Sequence, residues 1–105
     1  MTLRFHIEPE AAVELEEAAD WYEEKRLDLG RDFLDAVDEA LAFIASFPRS
    51  GKPVPNVPEG FLTRRTPVRR FPYHVVYIET PSTIRILAFA HDRRSPSYWH
   101  TRLTR

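Results

Sequence analysis

The chain contains no cysteine. Disulfide bonds, a thiol nucleophile and a cysteine-ligated zinc site are therefore excluded. It also lacks any run approaching the ~20 consecutive apolar residues that span a bilayer, so no membrane partner is expected. Residues 1–10 carry charges and hold no apolar stretch followed by small residues, which predicts no signal peptide and a cytoplasmic location. None of the four histidines falls in a ligand spacing such as His-x-x-x-His, so no metal site and no cofactor are expected. Lysine is nearly absent, with only Lys25 and Lys52.

What is present is one domain's worth of chain, 105 residues, 43% hydrophobic and 30% charged. The net charge of −1 hides a segregation: residues 1–47 carry 13 acidic and 4 basic side chains, whereas residues 61–105 carry 2 acidic side chains and 9 arginines. Such an asymmetry fits a partner of strong opposite charge, a phosphate backbone or an acidic peptide, for the basic half. It fits equally two halves that screen one another across the fold.

Leu3, Phe5 and Ile7 alternate with Thr2, Arg4 and His6, the period of a short strand with one buried face. Pro9 then suits the first turn of a helix, where its missing N–H costs nothing. Glu10, Glu14, Glu16 and Glu17 lie early in that helix, where carboxylates meet the positive end of the dipole. Ala11, Leu15, Ala18 and Tyr22 share its apolar face, and the pattern predicts a helix over residues 9–26. Asp28-Leu29-Gly30 reads as a turn. A second helix follows on Phe33, Val37, Leu41 and Ile44, with Asp32, Asp35, Asp38 and Glu39 on its wet side and Pro48 as its stop. Two amphipathic helices joined so closely should form an antiparallel hairpin.

Residues 49–60, rich in proline, read as a stiff connection from helix to sheet. Three strands are expected after it, over residues 61–68, 73–79 and 83–91. Pro67 fits a strand end or edge. The last two strands are apolar on both faces, with Val75 and Tyr77 opposing Val76 and Ile78, and Ile84, Ile86 and Ala88 opposing Leu87 and Phe89. A sheet with helices on one face only should alternate instead. The second apolar face needs a cover, and the C-terminal tail looks short for it. An uncovered apolar face of this kind is a common partner site.

Four local sequences in this order resemble the RelE/ParE toxins, the plasmid-stabilisation group of type II toxin–antitoxin systems. They are Pro9-Glu10-Ala11 at the strand-to-helix junction, Phe47-Pro48-Arg49-Ser50-Gly51 closing the hairpin, Arg70-Phe71-Pro72-Tyr73-His74-Val75-Val76-Tyr77 entering the central strand, and Ala90-His91-Asp92-Arg93-Arg94-Ser95-Pro96-Ser97-Tyr98-Trp99 after the last strand. The resemblance implies a single α+β domain of order β-α-α-β-β-β, with an antiparallel sheet, a helical hairpin on one face and a short basic tail. It also implies a growth-inhibiting toxin neutralised by a cognate antitoxin in a hetero-oligomer. Leu87 and Phe89, on the second sheet face, are the expected antitoxin contacts.

RelE-like relatives cut mRNA on the ribosome, whereas ParE-like relatives act on DNA gyrase without a catalytic site of their own being implied. RNA cleavage needs a base for the 2′-hydroxyl, a cation for the phosphorane and an acid for the leaving oxygen. His91, Arg93, Arg94 and Tyr98 are the catalytic candidates under that reading, and Arg64, Arg65, Arg69 and Arg70 are candidate phosphate or target contacts. Against each stands a plainer role. His91 beside Asp92 can close a strand end, Arg93 and Arg94 can pair with the acidic helices, and Tyr98 and Trp99 can pack the tail on the core. His74 reads as structural. The long acidic hairpin is a poor approach to ribosomal RNA, and the scarcity of lysine departs from RelE-like sites. The ParE-like reading is therefore preferred, with an mRNA endonuclease and a non-toxic antitoxin-binding module as alternatives.

Overall fold

A computed structural model describes residues 4–105. The chain runs through β1 (Arg4–Ile7), α1 (Pro9–Lys25), α2 (Leu29–Ser46), β2 (Lys52–Pro53), β3 (Thr63–Pro67), β4 (Tyr73–Glu79) and β5 (Thr83–His91), and closes on a 3₁₀ turn, His100–Arg102. Thr2 and Leu3, expected in the first strand, lie outside the described residues.

Pro9 occupies the first turn of α1, and Ala11, Ala18 and Ala19 are its buried residues. Such small side chains let the helix axis approach its neighbours closely. Asp28 enters α2 in the left-handed region, φ 69°, a conformation that aspartate tolerates better than most residues. The Glu23 side chain accepts the Asp28 N–H at 2.9 Å and the Gly30 N–H at 3.0 Å, so α1 caps the N-terminus of α2. Gly30 therefore belongs to the first turn of α2 and not to the connection expected from sequence. A Cβ there would meet the Ala19 carbonyl oxygen at 2.6 Å, so the backbones can approach this closely only at a glycine.

The sheet has five strands in the order β1-β5-β4-β3-β2. It is mixed, where the resemblance implied an antiparallel one: β1 runs parallel to β5, and the remaining neighbours are antiparallel. The helices and three strands intervene between β1 and β5, so no tight hairpin forces those two to run antiparallel. β1 lies at the edge and all four of its residues are exposed, so its alternation does not bury one face. Lys52 and Pro53 add a two-residue strand inside the segment expected to be loop.

The helices cover one face. Phe33, Val37 and Ile44 of α2 pack on Val75, Tyr77, Ile84, Ile86 and Phe89 of the central strands. Phe71, Tyr73 and Tyr22 surround Phe33 with ring centroids 4.9–5.2 Å apart in the nearer pairs. Tyr77 donates its hydroxyl to the Pro48 carbonyl at 2.8 Å.

The opposite face departs from expectation in two ways. First, Val76 pairs with Ala88 and Tyr77 with Ile86, which leaves Leu87 as an extra residue in β5. This bulge breaks the period-2 alternation. Ile84, Ile86 and Phe89 face the helices, whereas Leu87, Ala88 and Ala90 face the other way. Leu87 and Phe89 are thus on opposite faces. Second, that other face is not open. Trp99 and Leu103 bury themselves against Val76, Ile78, Leu87, Ala88 and Ala90, with Val54, Val57, Phe61 and Tyr98 around them. Leu87 is fully buried and Phe89 is 2% exposed. The tail is long enough because it delivers two large side chains from one 3₁₀ turn and the segment over residues 54–61 covers the remainder.

Candidate functional site

His91, Arg93, Arg94 and Tyr98, four of the sequence-expected site residues, lie at and after the C-terminal end of β5, where the chain leaves the sheet. β1 pairs with β5 only as far as Ile86, so the next backbone groups of β5 need other partners. Two side chains supply them. The Phe89 N–H donates to Glu14 Oε1 at 3.2 Å, and Arg102 Nη1 donates to the Leu87 carbonyl at 2.9 Å. Arg102 and Glu14 in turn form a two-pronged ion pair, 3.0 and 3.2 Å, with both side chains mostly buried. Arg85 makes a parallel link: it pairs with the buried Glu8 and donates to the carbonyls of Arg102 and Leu103. The tail is clasped to the sheet edge and to α1 by these two arginines.

Arg94 and Tyr98 belong to the same clasp. The Arg94 guanidinium lies 3.7 Å from the centroid of the Tyr98 ring and 3.8 Å from Glu14. The Tyr98 hydroxyl is buried beside Glu14 and has no hydrogen-bond partner among the described residues. Burial first, and the Glu14 carboxylate second, push the phenol well above its ordinary range. Tyr98 is consequently a neutral, enclosed group and is poorly placed to reach a leaving oxygen in solvent. His91 borders, with Arg94 and Glu14, the groove between α1 and the ends of β4 and β5. Its ring meets Tyr73 edge-on at 5.1 Å, and its Nδ1 accepts the Arg93 N–H at 3.1 Å. Arg93 is exposed and makes no ion pair among the described residues.

Burial also raises Tyr22 and Tyr73. With Tyr98, three phenols bind their protons more tightly in the folded chain than in the unfolded one. Below the unfolded value of about 10 this contribution is fully present. As pH rises above that value the unfolded chain releases protons that the folded chain retains, and stability falls. Chemical denaturation followed by circular dichroism should show the midpoint dropping steadily above about pH 10, with a shallower drop in Tyr98→Phe. A midpoint flat through that range would contradict this assignment.

The four arginines of β3 and its turn go to separate places. Arg64 Nη1 donates to the Gly51 carbonyl at 2.9 Å and supports the turn into β2. Arg69 and Arg70 border a hollow with Asp32, Asp35 and Glu39 of α2, so they face the acidic helix. Arg70 takes φ 74° in the turn, and its guanidinium lies 5.8 Å from the Phe71 ring. Arg65 alone joins a polar cluster on the far face, with Lys52, His74 and Asp92. His74 Nδ1 and Asp92 Oδ1 are 2.9 Å apart. Sequence reasoning treated His74 as a structural residue. The signal that identifies the pair is its register: His74 lies opposite Ala90, so Asp92 is carried two residues past that point and onto the same face.

A groove of about 590 Å³ lies between α1 and the ends of β4 and β5, lined by Glu14, Glu17, Trp21, Tyr22, Tyr73, Phe89, His91 and Arg94, among others. Trp21 is 54% exposed there, with Lys25 Nζ 4.7 Å from its ring centroid. A half-exposed tryptophan beside a tyrosine-rich wall is the composition of a protein-binding groove.

The comparison with known families decides the class. A family model described as "ParE toxin of type II toxin-antitoxin system, parDE" matches residues 5–96. The chain belongs to the ParE toxin family. Among solved structures, a chain of the chromosomal ParDE TA system from P. aeruginosa superposes on this ParE-type toxin with a TM-score of 0.66 at 18% identity. The superposition covers 86% of this chain and 96% of that one, and it bears on the fold. No curated protein matches the chain in sequence. The ParE architecture described above is thus that of a type II toxin, α+β with two helices on a mixed five-stranded sheet. Among the described residues no helix is long and apolar enough to cross a membrane, and no three His, Asp or Glu side chains converge as metal ligands.

Proposed function

We propose that this ParE-type toxin inhibits DNA gyrase by binding it, and that a cognate antitoxin neutralises it by laying a segment into the groove between α1 and β5. The observation that carries the first part is the use made of the nuclease candidates. Arg94 is stacked on Tyr98 and drawn to Glu14, the Tyr98 hydroxyl is buried, and His91 Nδ1 is engaged by its own chain. His91 and Arg94 both border the groove beside α1, but the Tyr98 hydroxyl is buried and is not part of that lining, so the base, cation and acid that cleavage needs do not meet there. Binding to a target protein needs no such convergence.

The groove supports the second part. Leu87 is sealed under the tail, so it offers no side-chain contact to a partner in this conformation. Phe89 forms part of the groove's lining, which keeps that residue within the antitoxin's reach at the groove floor. Trp21 supplies the large, half-exposed aromatic that interface anchors favour.

Purified toxin should block supercoiling by gyrase in a reconstituted assay and leave mRNA intact in a translation reaction. Unchanged supercoiling at saturating toxin, with mRNA cuts, would replace this reading by the endonuclease one. For the antitoxin, Trp21→Ala should weaken the complex by more than ~1 kcal/mol, as for a buried anchor, without unfolding the toxin. Equal affinity for both forms would place the antitoxin on another surface.

A further inference from the structure

The far face of the sheet carries a second depression, separate from the groove and from the clasp. It measures about 440 Å³ and is lined by Lys52, Arg65, Pro67, His74 and Asp92. Its construction follows from strand register. Lys52 of β2 lies opposite Arg65 of β3, Arg65 lies opposite Val76 of β4, and Pro67 lies opposite His74. Cross-strand partners share a face, so Lys52, Arg65 and His74 stand together on the side that bears Val76.

Lys52 and Arg65 are like charges placed directly opposite one another, an arrangement that is destabilising unless an anion intervenes. Both are exposed, and neither has an ion-pair partner among the described residues. Lys52 is also one of only two lysines in the chain. The one carboxylate at the depression, Asp92, is engaged through Oδ1 by His74 Nδ1 at 2.9 Å. With the carboxylate accepting, Nδ1 is the donor, the ring is held in one orientation, and Nε2 is left without a partner among the described residues. The depression therefore holds two cations and one carboxylate, the latter engaged by an oriented imidazole.

We propose that this depression is an oxyanion site for a phosphate group of a nucleic-acid strand. Arg65 presents the planar fork that matches two phosphate oxygens, and Lys52 adds a compact point charge next to it. Asp92 holds the His74 ring in place beside them. Arginine, lysine and a braced histidine in one depression suit a phosphodiester. The site does not depend on what the toxin does to gyrase, because it is read on bare nucleic acid.

The test is fluorescence anisotropy of the full-length toxin with short labelled single-stranded DNA and RNA at low salt. Arg65→Ala and Lys52→Ala should each weaken binding roughly tenfold and lower the salt slope by about one phosphate contact. His74→Gln should weaken it less, and Arg31→Ala, an exposed cation on α2, should leave it unchanged. Melting temperatures of the variants should match the parent, since the altered side chains are exposed or half-buried. Inorganic phosphate at millimolar concentration distinguishes the sources. If it displaces the oligonucleotide and its effect vanishes in Arg65→Ala, a free phosphate is a sufficient ligand. If it does not compete while the variants still lose affinity, the site reads a strand. Parental affinity in both Arg65→Ala and Lys52→Ala, or an equal loss in Arg31→Ala, would overturn the proposal.

Discussion

Glu14→Ala should destabilise the toxin by about 3–5 kcal/mol, the cost of leaving one member of a buried ion pair without its partner. At roughly 4 °C per kcal/mol for a domain of this size, the melting temperature should fall by more than about 10 °C. Three losses coincide at this residue. Arg102 is 9% exposed and would keep its charge with only the Leu87 carbonyl to meet it. The Phe89 N–H would lose its acceptor on a stretch of β5 that β1 does not reach. Arg94 would lose the carboxylate that draws it over Tyr98. Glu14→Gln should recover part of the loss, because an amide oxygen can still accept the Phe89 N–H while the charge is gone. Thermal and urea unfolding of the three proteins measures the series. A loss in Glu14→Ala below ~1 kcal/mol would mean that the pair behaves as an exposed surface bridge and that the clasp is loose in solution.

Trp99→Ala should cost a similar amount, about 3–5 kcal/mol, for an unrelated reason. Trp99 is 1% exposed and is the largest fully buried side chain in the chain. It forms the roof over Val76, Ile78, Leu87 and Ala88. Removing it leaves a void that Leu103 cannot fill and exposes apolar sheet to water. A hydrophobic dye should bind the variant below its melting transition, and the near-ultraviolet circular dichroism should flatten, leaving Trp21 as the remaining tryptophan. The same packing predicts the fate of Leu87→Asp. On an open face this substitution would leave the isolated toxin stable and impair only its complexes. Under the roof it places a charge where there is no solvent, and the isolated toxin should fail to fold. A stably folded, monomeric Leu87→Asp would show that the tail does not cover the face.

Both predictions rest on parts of the molecule that sequence patterns rendered unequally. The helices were legible because an amphipathic repeat is local: Ala11, Ala18 and Tyr22, then Phe33, Val37 and Ile44, carry the period within one stretch of chain. β4 and β5 were legible at the residue level for the same reason. The sidedness of β5 was not, since period-2 counting assumes an unbroken ladder and the extra residue at Leu87 inverts every assignment after it. The running direction of β1 was also beyond reach, because direction depends on where a strand lands and not on its composition. The acidic and basic halves illustrate the same limit. Charge counts offered either an external partner or mutual screening. The structure shows screening for part of the chain: Glu14 and Glu8 are matched by Arg102 and Arg85, whereas Arg65 and Lys52 form no ion pair among the described residues.

By itself the sequence determined the class of the fold, the positions of the two helices and the two central strands, the exclusion of thiol chemistry, and the kinship with ParE toxins that the family comparison then established. Only the tertiary structure decided which faces Ala88 and Phe89 occupy, what covers Leu87, which of the basic residues are engaged and that His74 meets Asp92. The division follows sequence separation. Helical and strand periods are written over neighbouring residues, where backbone geometry alone converts spacing into a face. Glu14 and Arg102 are 88 residues apart and His74 and Asp92 are 18 apart. Such partners are chosen by the packing of whole elements, which one bulge or one 3₁₀ turn is enough to redirect.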